Sequence, residues 1–211
     1  MKIILFDLMD TVIVDPYRHT VEDLTPANIG VEDFQKVRNM NSFFKFEKGE
    51  LSELDFFANY YSKDFDFQSE GFPRPQKIKK YLYRQIRYIN GMKELLGKLK
   101  EDGNIRTGIA SNYSTWYLEI FRNRRDLENL FDYLFFSCEM GVRKPDPHYF
   151  KIIQDALFNE SDLIRNSDEI FFIDDRRENI IAAEKMGWVC HHFESAAGLG
   201  SFFMKHLGRH P

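Results

Sequence analysis

Four short stretches of the sequence carry side chains that together could transfer a phosphoryl group. They are Asp7, Ser111-Asn112, Arg143-Lys144-Pro145 and Asp174-Asp175. A carboxylate such as Asp7 can attack phosphorus in line, which divides hydrolysis into two easier steps through an acyl phosphate. The oxygens of the transferring group are negative, so a hydroxyl, an amide, a lysine and a metal ion can each stabilise them. These stretches therefore contain the parts of a magnesium-dependent phosphoryl-transfer site.

The acidic residues of this set predict a binding site for a divalent cation. Asp7 follows the apolar run 3–6, and Asp174-Asp175 follow an apolar run that ends at Ile173. In an open α/β sheet the ends of such buried strands meet at one edge. Clustered carboxylates repel one another unless a cation binds between them, and oxygen ligands favour Mg²⁺. Either acidic stretch alone could merely cap a turn or the next helix, but their joint occurrence favours the metal site.

Apolar periodicity places these stretches in an alternation of strands and helices. Strands are predicted at residues 2–6, 105–110, 133–137, 169–173 and 188–192. Helices are predicted at residues 90–100, 113–122 and 178–186, and from Pro147 through Leu157. Sequences that alternate strands with helices form mostly parallel sheets. We therefore expect an α/β fold, with a Rossmann-like parallel sheet and helices on both of its faces.

Residues 15–89 interrupt this alternation directly after the first predicted strand. They contain no convincing strand pattern, but residues 31–40 and 51–61 are amphipathic in the manner of helices. We expect residues 15–89 to form a helical cap domain over the carboxyl ends of the strands. The α/β core domain would then comprise residues 1–14 and 90–211.

The four stretches, in this order and with the insertion after the first of them, resemble the motifs of the haloacid dehalogenase (HAD) superfamily. The resemblance is to the subgroup whose helical cap follows the first strand, and it covers nearly the whole chain. It implies that Asp7 is a nucleophile that forms an aspartyl phosphate. It also implies that Ser111 and Asn112 bind the phosphoryl oxygens and that Lys144 pairs with the nucleophile and the phosphate.

The same resemblance implies how the metal would be held. Mg²⁺ would bind the nucleophile, the backbone carbonyl of Met9 and Asp175, with Asp174 as a ligand either directly or through water. Thr11 resembles the threonine that braces the first loop of the family. Asn179 would hold the fourth loop or a metal-bound water. The implied reaction is hydrolysis of a small phosphorylated metabolite.

Position 9 departs from the resemblance. Phosphatases of the family carry a second Asp two residues after the nucleophile, which protonates the leaving alcohol and then activates water, and Met9 can do neither. Proton transfer of this kind contributes about 10²–10⁴-fold to a rate, so slow catalysis remains open. Asp10 stands where the family usually has Gly, and a local bulge would be needed to turn its carboxylate inward.

Two other branches of the family also lack this second Asp. The haloacid dehalogenases proper attack carbon and need no metal, which the Asp174-Asp175 pair argues against. The phosphonate-cleaving members use a cap lysine to form a Schiff base. No cap lysine is marked as buried by its sequence context; the cap lysines considered are Lys36, Lys45, Lys48 and Lys63.

Composition restricts the partners and the compartment. The chain has 29 Lys and Arg against 33 Asp and Glu, a net charge of −4, and no polybasic stretch, so we expect neither nucleic acid nor a membrane surface as a partner. Its two cysteines, Cys138 and Cys190, have no CxxC spacing, which favours free thiols over a disulfide framework or a zinc site. No signal-peptide pattern and no long apolar run occurs, so cytoplasm is the expected location.

The sequence therefore predicts a HAD-like hydrolase, a Mg²⁺-dependent phosphatase whose turnover Met9 could weaken. The alternative is a non-catalytic or regulatory protein that binds phosphate and Mg²⁺. Substrate identity depends on cap side chains that close over the leaving group. Spacing alone does not reveal which of them face the pocket; the candidates are Arg18, His19, Phe43, Phe44, Lys45 and Phe46.

Overall fold

Five strands form one parallel sheet in the described part of the chain. The computed structural model describes residues 1–26, 29–160, 166 and 169–208. The strands are β1 (Lys2–Phe6), β2 (Ile105–Ser111), β3 (Tyr133–Phe136), β4 (Ile170–Asp174) and β5 (Val189–His192). Their order across the sheet is β3-β2-β1-β4-β5, and each neighbouring pair is parallel. The prediction of a Rossmann-like parallel sheet is confirmed, with β1 at its centre.

The register of the central strands brings the first and fourth motifs together. Phe6 of β1 pairs with Ile109 of β2 on one side and with Ile173 of β4 on the other. The residues that follow these three, at the same edge of the sheet, are Asp7, Ala110 and Asp174. Parallel pairing with nearly complete burial explains why the three strands read as continuous apolar runs rather than alternating ones.

Helices cover both faces of this sheet. One face carries α6 (Met92–Glu101), α7 (Tyr117–Asn123) and α12 (Ala196–Leu207), and the other carries α10 (Pro147–Glu160) and α11 (Arg177–Glu184). Side chains alternate along a strand, so Ile4 and Phe6 pack with the first group and Ile3 and Leu5 with the second. Two short helices, α8 (Arg125–Glu128) and α9 (Ser137–Met140), connect these elements. The predicted helices on both faces are confirmed.

The sequence pattern did not predict α12. Gly198 lies inside this helix together with Gly200, and each glycine in a helix interior costs about 0.5–1 kcal/mol relative to alanine. Leu199 and Phe203 are fully buried in the core beneath the sheet, and this tertiary packing outweighs the local preference. The strand predicted at 133–137 also ends one residue earlier, because Ser137 begins α9.

Between β1 and α6 the described residues form five helices around an aromatic cluster. They are α1 (Tyr17–Leu24), α2 (Val31–Val37), α3 (Met40–Glu47), α4 (Glu53–Ala58) and α5 (Pro75–Arg84). Phe34, Phe46 and Phe56 are buried at the centre of the cluster, where Phe46 and Phe56 stack with ring centroids 4.3 Å apart. Trp116, from the loop after β2, completes it. None of the described helices is long and apolar enough to cross a membrane.

The amphipathic pattern at 31–40 forms two helices rather than one. The backbone is extended at Arg38 and Asn39, and the Asn39 side chain accepts a hydrogen bond from the Ser42 amide, which caps the start of α3. The Asn39 amide donates to the carbonyl of Tyr60, so this break is also held from outside the helices. The break places Arg38 at the junction of α2 and α3.

Candidate active site

Lys144 is a buried cation between two acids at the carboxyl edge of the sheet. Its side chain is 1% exposed, and its Nζ donates to Asp7 Oδ1 at 2.8 Å, Asp174 Oδ2 at 2.6 Å and the Ala110 carbonyl at 2.7 Å. These contacts use all three protons of the ammonium group. Burial lowers the pKa of Lys144, but the charges of Asp174 and Asp7 outweigh burial and raise it. The lysine is therefore positively charged at neutral pH.

The Asn112 side chain fixes the loop that carries this lysine. Its Oδ1 accepts from the Lys144 amide at 2.8 Å, and its Nδ2 donates to the Lys144 carbonyl at 2.9 Å. An amide that engages both backbone groups of one residue sets the position and direction of that residue. The phosphate-binding role of Asn112 stays a prediction, and in this structure its side chain positions Lys144.

Asp7 lies where β1 ends, at the bottom of a cavity. Its amide donates to the Ile173 carbonyl at 2.8 Å, which continues the pairing with β4, and only 8% of the residue is exposed. Burial raises the pKa of Asp7, while the charge of Lys144 and a hydrogen bond with the buried Ser111 hydroxyl oppose the rise. The structure thus joins the predicted nucleophile, hydroxyl and lysine in one contact network.

The two acids of the fourth motif occupy different environments. Asp174 is fully buried and accepts hydrogen bonds from Lys144, from the Arg176 amide at 2.8 Å and from Asn179 Nδ2 at 2.9 and 3.0 Å. Asp175 instead lines the cavity, where burial and the charges of Asp7 and Asp174 raise its pKa to about 7. Asp174 is therefore occupied by protein donors, and Asp175 is the acid that faces an incoming ligand.

These residues fit a magnesium ion with few protein ligands. Within the ranges that the structure describes, no three His, Cys, Asp or Glu side chains form a preassembled metal cluster. Asp7, Met9 and Asp175 all line the cavity, so two carboxylates lie at its base beside the loop that carries Met9. Mg²⁺ is commonly held by one or two carboxylates together with water and substrate phosphate. The charges of Asp7 and Asp174, which help to raise the pKa of Asp175, are the feature that such a cation would neutralise.

The loop after β1 turns sharply at Asp10. This residue has φ of 53°, in the left-handed region where glycine, asparagine and aspartate are the least strained. Its amide donates to the Ile13 carbonyl at 2.7 Å, and its Oδ1 accepts from the Asp15 amide at 2.9 Å. The carboxylate of Asp10 thus stabilises the loop at the rim of the cavity. Thr11 is fully buried, and its hydroxyl has no hydrogen-bond partner among the described residues.

A cavity of about 330 Å³ separates the base of the site from the inserted helices. Its upper walls are mostly aromatic: Tyr17, Phe43, Phe44, Phe46, Phe56, Tyr60, Tyr113 and Trp116. The three phenylalanines proposed from the sequence as pocket residues therefore face the cavity. Arg18, His19 and Lys45 do not line it. An apolar, ring-rich wall suits a substrate with a large apolar or aromatic body.

Sequence reasoning did not identify Arg38 as a site residue. This arginine is only 9% exposed and lines the cavity, with its guanidinium carbon over the rings of Tyr17, Phe43 and Tyr60 at 4.6, 4.4 and 5.3 Å. No carboxylate lies within 4.0 Å of it in the described part of the chain. Arg38 lies at the break between α2 and α3. The amphipathic pattern at residues 31–40 predicted one continuous helix there, so the break and the arginine at it were not recognised.

Glu47 was also missed. It ends α3, lines the cavity and is 7% exposed, and its Oε2 lies 2.8 Å from Arg143 Nη2. Burial raises the pKa of Glu47 to about 7, although the guanidinium of Arg143 opposes the rise. A charged residue at the end of a helix is usually solvated, so no local pattern distinguished it.

Comparison with known proteins relates this geometry to one group of hydrolases. The family of haloacid dehalogenase-like hydrolases matches residues 1–187. A chloroplast flavin mononucleotide hydrolase of Arabidopsis thaliana is 31% identical over 201 residues, which are 94% of this chain and 75% of that protein. A sesquiterpene phosphatase of Aspergillus oryzae is 24% identical over 177 residues, which are 82% of this chain and 83% of that protein.

Solved structures share the fold. A HAD-family enzyme of Bacteroides thetaiotaomicron, solved with magnesium and inorganic phosphate, matches with a TM-score of 0.68. It is 20% identical, and the match covers 93% of this chain and 96% of that one. At this identity the likeness concerns the fold, which is the same parallel α/β arrangement.

Proposed function

The chain belongs to the haloacid dehalogenase-like hydrolase family, and we propose that it is a Mg²⁺-dependent phosphatase acting on a small phosphorylated metabolite. The observation that carries this proposal is the buried contact network of Asp7, Lys144 and Asp174 at the base of the cavity. A pure binding protein has little need of a buried carboxylate aimed at the ligand beside a charged lysine. The network therefore favours covalent catalysis over binding alone.

In this proposal each residue has one role in the transfer. Asp7 attacks phosphorus and forms an aspartyl phosphate, while Lys144 and Ser111 stabilise the negative oxygens of the transferring group. Asp174 and Asn112 position the lysine through the hydrogen bonds described above. The second step is hydrolysis of the aspartyl phosphate by water, which restores the Asp7 carboxylate.

Mg²⁺ would be held by Asp7, the Met9 carbonyl and Asp175, with Asp174 as a ligand either directly or through water. When bound, it would neutralise phosphoryl charge and orient the group for in-line attack. Support comes from the two cavity-facing carboxylates and from the related enzyme of B. thetaiotaomicron, which was solved with magnesium and phosphate.

We further propose that residues 15–89 act as a cap that selects the leaving group. The aromatic walls of the cavity come largely from these residues, whereas the reacting groups come from the strand ends. Two relatives are named for substrates with large apolar or aromatic bodies, a flavin nucleotide and sesquiterpene compounds. The substrate class that fits is a phosphate monoester with a flat aromatic or hydrocarbon leaving group.

Cytoplasmic location stays a prediction from the sequence.

A phosphatase assay tests the proposal against the alternative of a regulatory protein that binds phosphate and Mg²⁺. Flavin mononucleotide and p-nitrophenyl phosphate would be incubated with the wild type and with Asp7→Asn, with and without Mg²⁺. We expect Mg²⁺-dependent phosphate release that Asp7→Asn reduces to background, because the amide keeps the size of the carboxylate but is not a nucleophile. Hydrolysis by Asp7→Asn would refute the covalent mechanism. Binding of phosphate and Mg²⁺ without hydrolysis by the wild type would support the alternative.

A further inference from the structure

The proposed reaction needs a proton donor that position 9 does not provide. Expulsion of an alkoxide is slow unless its oxygen is protonated as the bond to phosphorus breaks. The carboxylates that line the cavity are Asp7, Asp10, Asp15, Glu47 and Asp175. A carboxylic acid of this set can supply the proton, whereas Met9 carries no transferable proton.

Four of the five acids are already engaged. Asp7 is the proposed nucleophile, and Asp175 is the proposed metal ligand. Asp10 accepts from the Asp15 amide at 2.9 Å, and Asp15 accepts from the Tyr17 amide at 2.9 Å, so both carboxylates stabilise the loop between β1 and α1. Glu47 is the remaining acid, and it lines the cavity from the end of α3 in the inserted segment.

Glu47 is fixed above the loops that surround the phosphoryl position. Its carbonyl accepts from Ser137 Oγ at 2.6 Å, and the same Oγ accepts from the Tyr113 amide at 3.0 Å, just beyond Ser111 at the end of β2. On the other side its carboxylate contacts Arg143, the residue before Lys144. A helix end of the inserted segment is thus attached to both the second and the third motif.

A tight backbone approach keeps this attachment in place. Gly49, two residues after Glu47 in the sequence, has φ of 72°. A Cβ at this position would overlap the carbonyl of Cys138 in α9. Only glycine permits this approach, because any side chain would meet backbone rather than a flexible group. The end of α3 therefore rests directly on the core, and Glu47 is held at a fixed height over the base of the cavity.

The two oxygens of the Glu47 carboxylate differ. Oε2 is inaccessible to solvent and lies 2.8 Å from Arg143 Nη2, but the contact does not have hydrogen-bond geometry. Within the described residues no hydrogen bond reaches Oε1, which leaves it for a group in the cavity. The charged groups around Glu47 are Arg143 from the third-motif loop, Arg38 before α3 and Arg176 before α11, and Tyr113 faces it from the loop after β2. Burial opposes ionisation and outweighs the three guanidinium groups, which raises the pKa of Glu47 to about 7.

We propose that Glu47 is the general acid and base of this hydrolase and replaces the aspartate that position 9 lacks. This inference rests on the proposed phosphatase function. In the first step an Asp7 oxygen bonds to phosphorus, the bond between phosphorus and the leaving oxygen breaks, and the Glu47 proton moves to that oxygen. In the second step the Glu47 carboxylate takes a proton from water as the water oxygen bonds to phosphorus and the bond between phosphorus and the Asp7 oxygen breaks, which releases phosphate and restores the Asp7 carboxylate. The acid is thus carried by the inserted helices instead of by the loop after β1.

The test compares two leaving groups in Glu47→Gln, a variant that keeps the size of the side chain. Flavin mononucleotide releases an alkyl alcohol that needs a proton, whereas p-nitrophenolate leaves without one. We expect kcat/KM, which reports the steps up to loss of the leaving group, to fall by about 10²–10⁴-fold for flavin mononucleotide and by less than about tenfold for p-nitrophenyl phosphate. The value of kcat should fall for both substrates, because both need the Glu47 carboxylate as base in the second step. The wild-type loss of kcat/KM at rising pH, which reports deprotonation of the acid, should disappear in the variant. The matched control is Glu50→Gln, an exposed acid on the same turn, which should keep wild-type kinetics.

A second variant restores the acid by another route. The double variant Glu47→Gln/Met9→Asp should have a kcat for flavin mononucleotide at least about tenfold higher than Glu47→Gln alone, because the aspartate supplies the missing proton from the first motif. Retained hydrolysis of p-nitrophenyl phosphate shows that each variant is folded. Equal losses of kcat/KM for both substrates, or an unchanged pH profile in Glu47→Gln, would overturn the role of Glu47 and leave the phosphatase proposal standing. A wild type that hydrolyses neither phosphate with Mg²⁺ would overturn both.

Discussion

Replacing Lys144 by methionine should destabilise the protein strongly, because two buried acids would lose their shared cation. The substitution keeps the length of the side chain but removes an ammonium group that is 1% exposed and lies 2.8 and 2.6 Å from Asp7 and Asp174. It also removes the donor to the Ala110 carbonyl. Removing one partner of a buried ion pair typically costs about 3–5 kcal/mol, and we expect the free energy of unfolding to fall within that range.

The loss should grow with pH. In the wild type the charge of Lys144 opposes the effect of burial on Asp7, and without it the pKa of Asp7 rises further above the value of an unfolded chain. A buried acid whose pKa is higher in the folded than in the unfolded protein favours folding most when it is protonated. This contribution to the free energy of unfolding is lost as the pH rises from the unfolded pKa to the folded pKa. Lys144→Met should therefore be closest to the wild type at acidic pH and furthest from it above neutral pH.

Urea unfolding at about pH 5 and about pH 8 measures this difference. Lys151→Met is the matched control, since Lys151 is half exposed and pairs with Asp155 on the surface of α10, where an ion pair contributes about 0–1 kcal/mol. Adding Asp174→Asn to Lys144→Met should recover part of the stability by removing one buried charge. If Lys144→Met cost no more than the Lys151 control at either pH, the buried network would not stabilise the fold as argued.

Two further predictions concern the metal and the inserted segment. Calorimetry should show Mg²⁺ binding by the wild type and at least about tenfold weaker binding by Asp175→Asn, since a carboxylate that faces the cavity is lost; equal affinity would place the metal elsewhere. Gly49→Ala should lower the free energy of unfolding by at least about 1 kcal/mol, because its left-handed backbone and its contact with Cys138 exclude a side chain. The control is Gly97→Ala within α6, where nothing lies near the added methyl group and alanine should stabilise the helix by about 0.5–1 kcal/mol, with both changes measured by thermal unfolding. A stabilising Gly49→Ala would contradict the close approach.

The fold was predictable where local pattern and tertiary packing agree. The apolar runs before Asp7 and Asp174 are buried parallel strands, so burial on both faces leaves a continuous apolar signal in the sequence. Prediction failed at α12, where two glycines weaken the helical signal and the buried contacts of Leu199 and Phe203 with the sheet decide the outcome. It also failed at Arg38, where a backbone break held by Tyr60 splits one amphipathic pattern into two helices.

Local sequence patterns were enough to predict which reactive groups meet at the edge of the sheet. Asp7 and Asp174 end neighbouring parallel strands, and the strand register alone brings them side by side. Tertiary structure decided what each group does: it surrounded Asp174 with donors, turned Asp175 to the cavity and brought Glu47 from another part of the chain to face the same space. Such placements depend on contacts between residues far apart in sequence, which local periodicity does not encode. They also depend on burial and on neighbouring charges, which together raise the pKa values of Asp175 and Glu47.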